Sequence, residues 1–164
     1  MKRRSVKDLT AAAVVAALYT ALSLLSNSLG LAFGPVQCRF SEALTLLPLI
    51  LPSSVYGLTV GCLLTNILSP YGLTDLVVGT FATFLAAKLT LRCRNDWLGA
   101  IPPVLCNAIL IGVLLAFQQV GFSAAFPAAF LYQGCTVGLG QLISCYGLGI
   151  PLVRLLRKHL KNLC

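Results

Sequence analysis

The residues best equipped for chemistry stand close together in the stretch Gly34-Pro35-Val36-Gln37-Cys38-Arg39-Phe40-Ser41-Glu42-Ala43-Leu44. Arg39 is the only basic residue between Lys7 and Lys88, and Glu42 is the only acidic one between Asp8 and Asp75. If residues 41–44 open a helix, the two charges lie three residues apart and share a face. A charged pair at the mouth of a membrane helix is costly unless it pairs, faces a cavity or touches a ligand. Ligand capture is therefore the chemistry suggested by these residue types. The plainer alternative is a pair that caps a helix and anchors it among lipid headgroups.

Other chemistries lack their parts. The chain has no G-x-x-x-x-G-K-[ST] and no Gly-Lys dipeptide, so it carries no phosphate-cradling loop for ATP. It has no G-x-S-x-G and no H-E-x-x-H, and its single histidine, His159, sits in a basic tail with Arg157, Lys158 and Lys161. The cysteines at 38, 62, 93, 106, 135, 145 and 164 form no C-x-x-C, and most fall in apolar runs where cysteine behaves as a small hydrophobe. No catalytic set, metal site or cofactor is expected. What remains is a set of polar groups at the ends of apolar segments: Gln37, Arg39, Glu42, Asn66, Tyr71, Thr74, Asp75, and Gln133 or Gln141. A mostly apolar cavity with a few convergent polar groups is how small-molecule sites are built.

The elements that must position these groups are membrane helices. The chain is 58% hydrophobic and 10% charged, with a mean hydropathy of +0.91. A soluble domain carries about 25% charged residues. The net charge of +8 gathers at the two termini and in one mid-chain loop, the pattern of cytoplasmic membrane loops, and needs no nucleic-acid partner. The first 30 residues resemble a signal peptide, but the apolar run from Leu9 to Leu25 exceeds the usual length, and a retained first helix is the simpler reading.

Uncharged runs place six helices in a single integral membrane domain, 1–164, at about 9–30, 40–52, 55–69, 75–92, 98–117 and 127–155. Pro48 and Pro52, with Ser53-Ser54, divide the uncharged stretch after Glu42 into two helices too short for a full bilayer. Such helices are expected to stop within the protein and line a cavity. Gly57 and Gly61 suit close packing of the second, and Ala13, Ala17 and Ala21 make a flat stripe on the first. That stripe serves either internal packing or a partner. With six spans and both termini cytoplasmic, only Arg39 among the basic residues falls outside, and Arg39, Glu42 and Asp75 share the outer side.

Three blocks of sequence then resemble the QueT family of queuosine-precursor transporters. They are Gly34-Pro-Val-Gln-x-Arg-x-Ser-Glu-Ala-Leu44 with Leu47-Pro48, Gly57-Leu58-x-x-Gly61-Cys62 with Asn66, and Asp75-x-x-x-Gly79-Thr80-x-Ala82-Thr83. The likeness continues through Pro102-Pro103 to Gly147-x-Gly149-x-Pro151-Leu152. It implies the substrate-binding membrane subunit of an energy-coupling-factor (ECF) transporter: an all-α, six-helix bundle in the plasma membrane around an outward-facing cavity. Such a subunit works with a membrane scaffold subunit and two ATPase subunits, and the stripe Ala13, Ala17, Ala21 is similar to the face presented to that scaffold. The implied ligand is a 7-deazaguanine such as preQ0, preQ1 or queuine. A carboxylate can accept its N1 and exocyclic amine donors, and a second can pair an aminomethyl cation. Glu42 and Asp75 are the implied carboxylates, Gln37 and Asn66 the partners of the carbonyl and ring nitrogen, and Tyr71 or Phe40 a stacking face. One departure stands out: Gly140-Gln141 replaces an expected Gly-Glu pair and removes a carboxylate. Two other readings are the same architecture importing another vitamin-like solute, and a membrane thiol oxidoreductase.

Overall fold

The computed structural model describes residues 6–31, 37–69 and 72–162. The protein is an all-helical membrane protein, with no strand among the described residues. Four stretches are long and apolar enough to cross a bilayer: Val6–Ser28, Gly72–Thr90, Asp96–Val120 and Phe126–His159. Between the first two lie a 3₁₀ helix, Phe40–Leu49, and the α-helix Ser54–Asn66.

Helix α1 (Val6–Ser28) turns one edge inward, burying Val15, Ala16, Tyr19, Ser23 and Ser26. It packs parallel to α2 (Ser54–Asn66), and the approach depends on two glycines. A Cβ added to Gly57 would overlap the Ala12 carbonyl oxygen, and one added to Gly61 would lie 2.8 Å from the Tyr19 Cβ. The internal contact thus uses Ala12, Val15, Ala16 and Tyr19. Ala13, Ala17 and Ala21 are exposed on another face of α1, so the stripe is not internal packing.

The expected α-helix at 40–52 is instead a 3₁₀ helix ending at Leu49. Pro48 contributes no N–H to an α ladder, the Thr45 hydroxyl donates to the Glu42 carbonyl at 2.6 Å, and the end is closed by Leu51 N–H donating to the Leu47 carbonyl at 2.8 Å. At about 2.0 Å rise per residue a 3₁₀ segment gains depth faster than an α-helix. Ten residues therefore reach about 20 Å, still short of a bilayer core of about 30 Å. Every residue from Ser41 to Pro48 is buried, so this helix runs through the middle of the bundle.

The remaining helices wrap it. Helix α3 (Gly72–Thr90) begins earlier than the expected residue 75, at a positive-φ Gly72, and places Asp75 in its first turn. A short α4 (Asp96–Gly99), capped by Asn95 accepting from Trp97 N–H at 3.1 Å, leads into α5 (Ile101–Val120). The last passage, expected as one helix over 127–155, is α6 (Phe126–Leu142), a π segment (Ile143–Gly149) and α7 (Ile150–Asn162). Where the helix widens it lies on the 3₁₀ helix: a Cβ on Gly149 would sit 3.0 Å from the Ala43 carbonyl oxygen. Asp96 ties α4 to α7 by accepting from Arg157 at 2.7 and 3.3 Å, with Arg154 at 3.5 Å.

Candidate ligand-binding site

A row of hydrogen bonds fastens the Phe40–Glu42 segment to α1. The Tyr19 hydroxyl donates to Glu42 Oε1 at 2.7 Å, the Ser23 hydroxyl to the Ser41 hydroxyl at 2.7 Å, and the Phe40 N–H to the Ser26 hydroxyl at 2.9 Å. Tyr19, Ser23 and Ser26 recur at helical spacing, so one edge of α1 supplies all three partners. Upstream, Cys38 N–H donates to the Leu31 carbonyl at 3.1 Å. This row fixes the carboxylate of Glu42, which is 3% exposed, with Oε1 engaged and Oε2 buried without a hydrogen-bond partner. A buried, unsatisfied carboxylate oxygen is costly unless something completes it.

Glu42 lies in the wall of a small pocket enclosed by five elements. Gln37 and Arg39 come from the segment before the 3₁₀ helix, Cys62 from α2, Gly79 and Thr83 from α3, Asn107 and Ile111 from α5, and Val137 and Gln141 from α6. Its volume is about 20 Å³, enough for roughly one water. The wall is polar in a directed way. Asn107 Nδ2 donates to the Pro103 carbonyl at 3.0 Å, leaving Oδ1 as an acceptor. The Thr83 hydroxyl donates to Cys62 Sγ at 3.2 Å and keeps its lone pairs free to accept. Gln141 Oε1 accepts from Cys145 Sγ–H at 3.6 Å, leaving the amide Nε2 as a donor.

Two glycines let these pieces meet. A Cβ on Gly140 would overlap the Gln37 carbonyl oxygen, so α6 presses its backbone directly against the 37–38 segment and delivers Gln141 beside Glu42. A Cβ on Gly79 would lie 2.6 Å from Asn66 Nδ2 and 2.9 Å from Asp75 Oδ1.

Residues 9–158 of the chain match the QueT transporter family. The chain belongs to that family. Queuosine precursor transporter QueT of Lactococcus lactis subsp. cremoris (strain MG1363) is 32% identical over 155 residues, covering 89% of this chain and 90% of that protein. No solved structure matches the chain.

Of the residues that the sequence of this QueT-family chain singles out, Gln37, Arg39, Glu42 and Gln141 converge on the pocket. Asn66 and Asp75 do not line it. They form a buried pair behind Gly79, where Asn66 Nδ2 donates to the Asp75 carbonyl at 3.0 Å and the Ser69 hydroxyl donates to the Asp75 carboxylate at 2.5 Å. Thr74 and Gln133 stand farther off, accepting from Gln118 at 2.6 Å and donating to Gln119 at 3.0 Å respectively. Tyr71 lies outside the described residues. Four further residues take part in the pocket or hold its wall: Tyr19 and Asn107, which the sequence does not single out, and Cys62 and Thr83, which stand in the motif blocks without a role assigned to them. Asn107 left the plainest trace, an amide inside the uncharged run from Trp97 to Val153.

Proposed function

We propose that this QueT-family chain is the substrate-binding subunit of an ECF-type importer and that it captures a queuosine precursor, a 7-deazaguanine. The observation that carries the reading is the unpartnered Glu42 Oε2, held by Tyr19 in a buried pocket that also presents Arg39, Asn107 and Gln141. A guanine-type edge brings the N–H donors that such a carboxylate lacks. The pocket is far smaller than a deazapurine, so capture requires the 37–42 segment or the α6 wall to move outward and close again over the ligand.

The test is thermal unfolding of the detergent-purified protein with 7-deazaguanine bases. A ligand at 100 times its Kd adds about 2.7 kcal/mol of stability, visible as a clear rise in Tm. No rise with any 7-deazaguanine at millimolar concentration overturns the reading.

In this proposal the four long stretches and the two short ones make six passages through the plasma membrane, with both termini cytoplasmic. The mid-chain and C-terminal basic residues then share the cytoplasmic side, consistent with the positive-inside rule. A reporter fused after Cys164 should be active only in the cytoplasm, and activity on the outer side rules out the six-passage arrangement. The exposed Ala13, Ala17 and Ala21 are proposed to face the membrane scaffold, through which two ATPase subunits supply the energy.

A further inference from the structure

We infer that Glu42 and Gln141 together read a lactam edge, an N–H beside a C=O, and that Gln141 sets a preference for 6-oxo over 6-amino bases. The inference rests on the reading that the ligand is a deazapurine and adds which of its faces is recognised and by what. Both side chains are more than nine-tenths buried, at 3% and 6% exposure, and both line the pocket. Glu42 has one oxygen committed to Tyr19 and the other unpartnered, so it offers an acceptor. The amide of Gln141 is oriented by Cys145, whose sulfur lies 3.6 Å from Oε1, which leaves Nε2 as the donor end. The Gln141 amide lies beside the Glu42 carboxylate, and Gly140 fixes its backbone against Gln37. An acceptor and a donor side by side complement an N–H and a C=O side by side.

In a guanine-type base, N1–H is a donor and the adjacent O6 an acceptor; in a 6-amino base both signs are reversed. A 6-amino base in the same pose sets its N1 lone pair against Glu42 Oε2 and its amino group against the Gln141 amide. Two buried polar groups on the protein then go unmatched at once. A site built to hydrogen-bond a group discriminates strongly against an analogue that lacks it. The glutamine at this position supplies a donor that a carboxylate at the same place would not.

The experiment compares Kd for 7-deazaguanine, 2,6-diamino-7-deazapurine and 2-amino-7-deazapurine on the full chain in detergent. The wild-type protein should prefer 7-deazaguanine by about 100-fold over both the 6-amino base and the base lacking a 6-substituent, since N1 of each carries a lone pair in place of a hydrogen. Gln141→Met, which removes the donor at similar volume, should weaken 7-deazaguanine about 10-fold while leaving the 2-amino base within threefold. Gln141→Glu should bring the 6-oxo to 6-amino ratio near one, because its carboxylate accepts from the amino group. These are ratios on a single preparation, so a misfolded fraction cancels. Variants that keep the wild-type ratios overturn the inference and leave the deazapurine reading standing. If neither variant binds anything, the wild-type arm decides: equal Kd for all three bases overturns the inference. A wild-type chain that binds none of them overturns the deazapurine reading and this inference with it.

Discussion

Glu42→Gln should lower the affinity for 7-deazaguanine by about 10- to 100-fold without unfolding the chain. The substitution is isosteric, and the Tyr19 hydroxyl, 2.7 Å from Oε1, can still donate to an amide oxygen in the same place. The change falls on the other atom. Where Oε2 now sits buried without a partner, the variant puts an NH₂ group, which meets a ligand N–H as donor against donor. A hydrogen bond to a charged group contributes about 1.5–3 kcal/mol, and leaving its partner unpaired in a dry site costs about 1–3 kcal/mol. The plainer role for Glu42, a charge that only anchors a helix end, gives a different result. The variant then loses or gains stability, and affinity per folded molecule is unchanged. Isothermal titration, normalised to the folded fraction, separates the two, and unchanged affinity removes Glu42 from the site.

The second large effect is expected far from the ligand. Ala13→Leu combined with Ala17→Leu should abolish uptake of the precursor by cells carrying the partner ATPases, while the isolated subunit keeps its Kd within about threefold. Both alanines are exposed, whereas the contact with α2 runs through Ala12, Val15, Ala16 and Tyr19. Leucine at these positions adds bulk only where another chain or lipid would lie. Close helix–helix approach in a membrane depends on small residues, because no hydrophobic force draws the helices together there. Co-purification of the scaffold with tagged subunit, read beside ligand titration, gives both halves of the result. Loss of ligand binding by the isolated variant overturns the assignment of that face to a partner.

Much of the site was legible because polarity is conspicuous in an apolar chain. Gln37, Arg39 and Glu42 stand out where nothing else is charged, and Gln141 stands out against the family pattern; all four reach the pocket. Tyr19 and Asn107 escaped, and Cys62 and Thr83 stood in the motif blocks without a role, because single side chains of these types occur within membrane helices and only packing reveals which face they take. Tyr19 was the hardest to see, since the regular alanines beside it drew attention to another side of the same helix. Asn66 ends α2 and Asp75 lies in the first turn of α3, but that they bond each other behind Gly79, rather than lining the pocket, is a tertiary fact. The breaks between helices followed from Pro48, Pro52 and the polar turns. The 3₁₀ form of Phe40–Leu49 did not, because it is set jointly by Pro48 and by the π segment lying against it.

Helix α1 holds the Phe40–Glu42 segment along one edge and leaves another bare. Mechanically it is an axle with a load on one side and a free grip on the other. Side-chain tips lie about 5–6 Å from a helix axis, so a turn of about 20° carries the Tyr19 hydroxyl through roughly 2 Å. That is enough to part a 2.7 Å hydrogen bond and loosen Glu42. Because coupling between two sites acts equally in both directions, a protein that grips the alanines and turns the axle must prefer one ligand state of the chain over the other. Loaded and empty chains would then compete unequally for the same energised partner, and the queue for transport would sort itself by cargo.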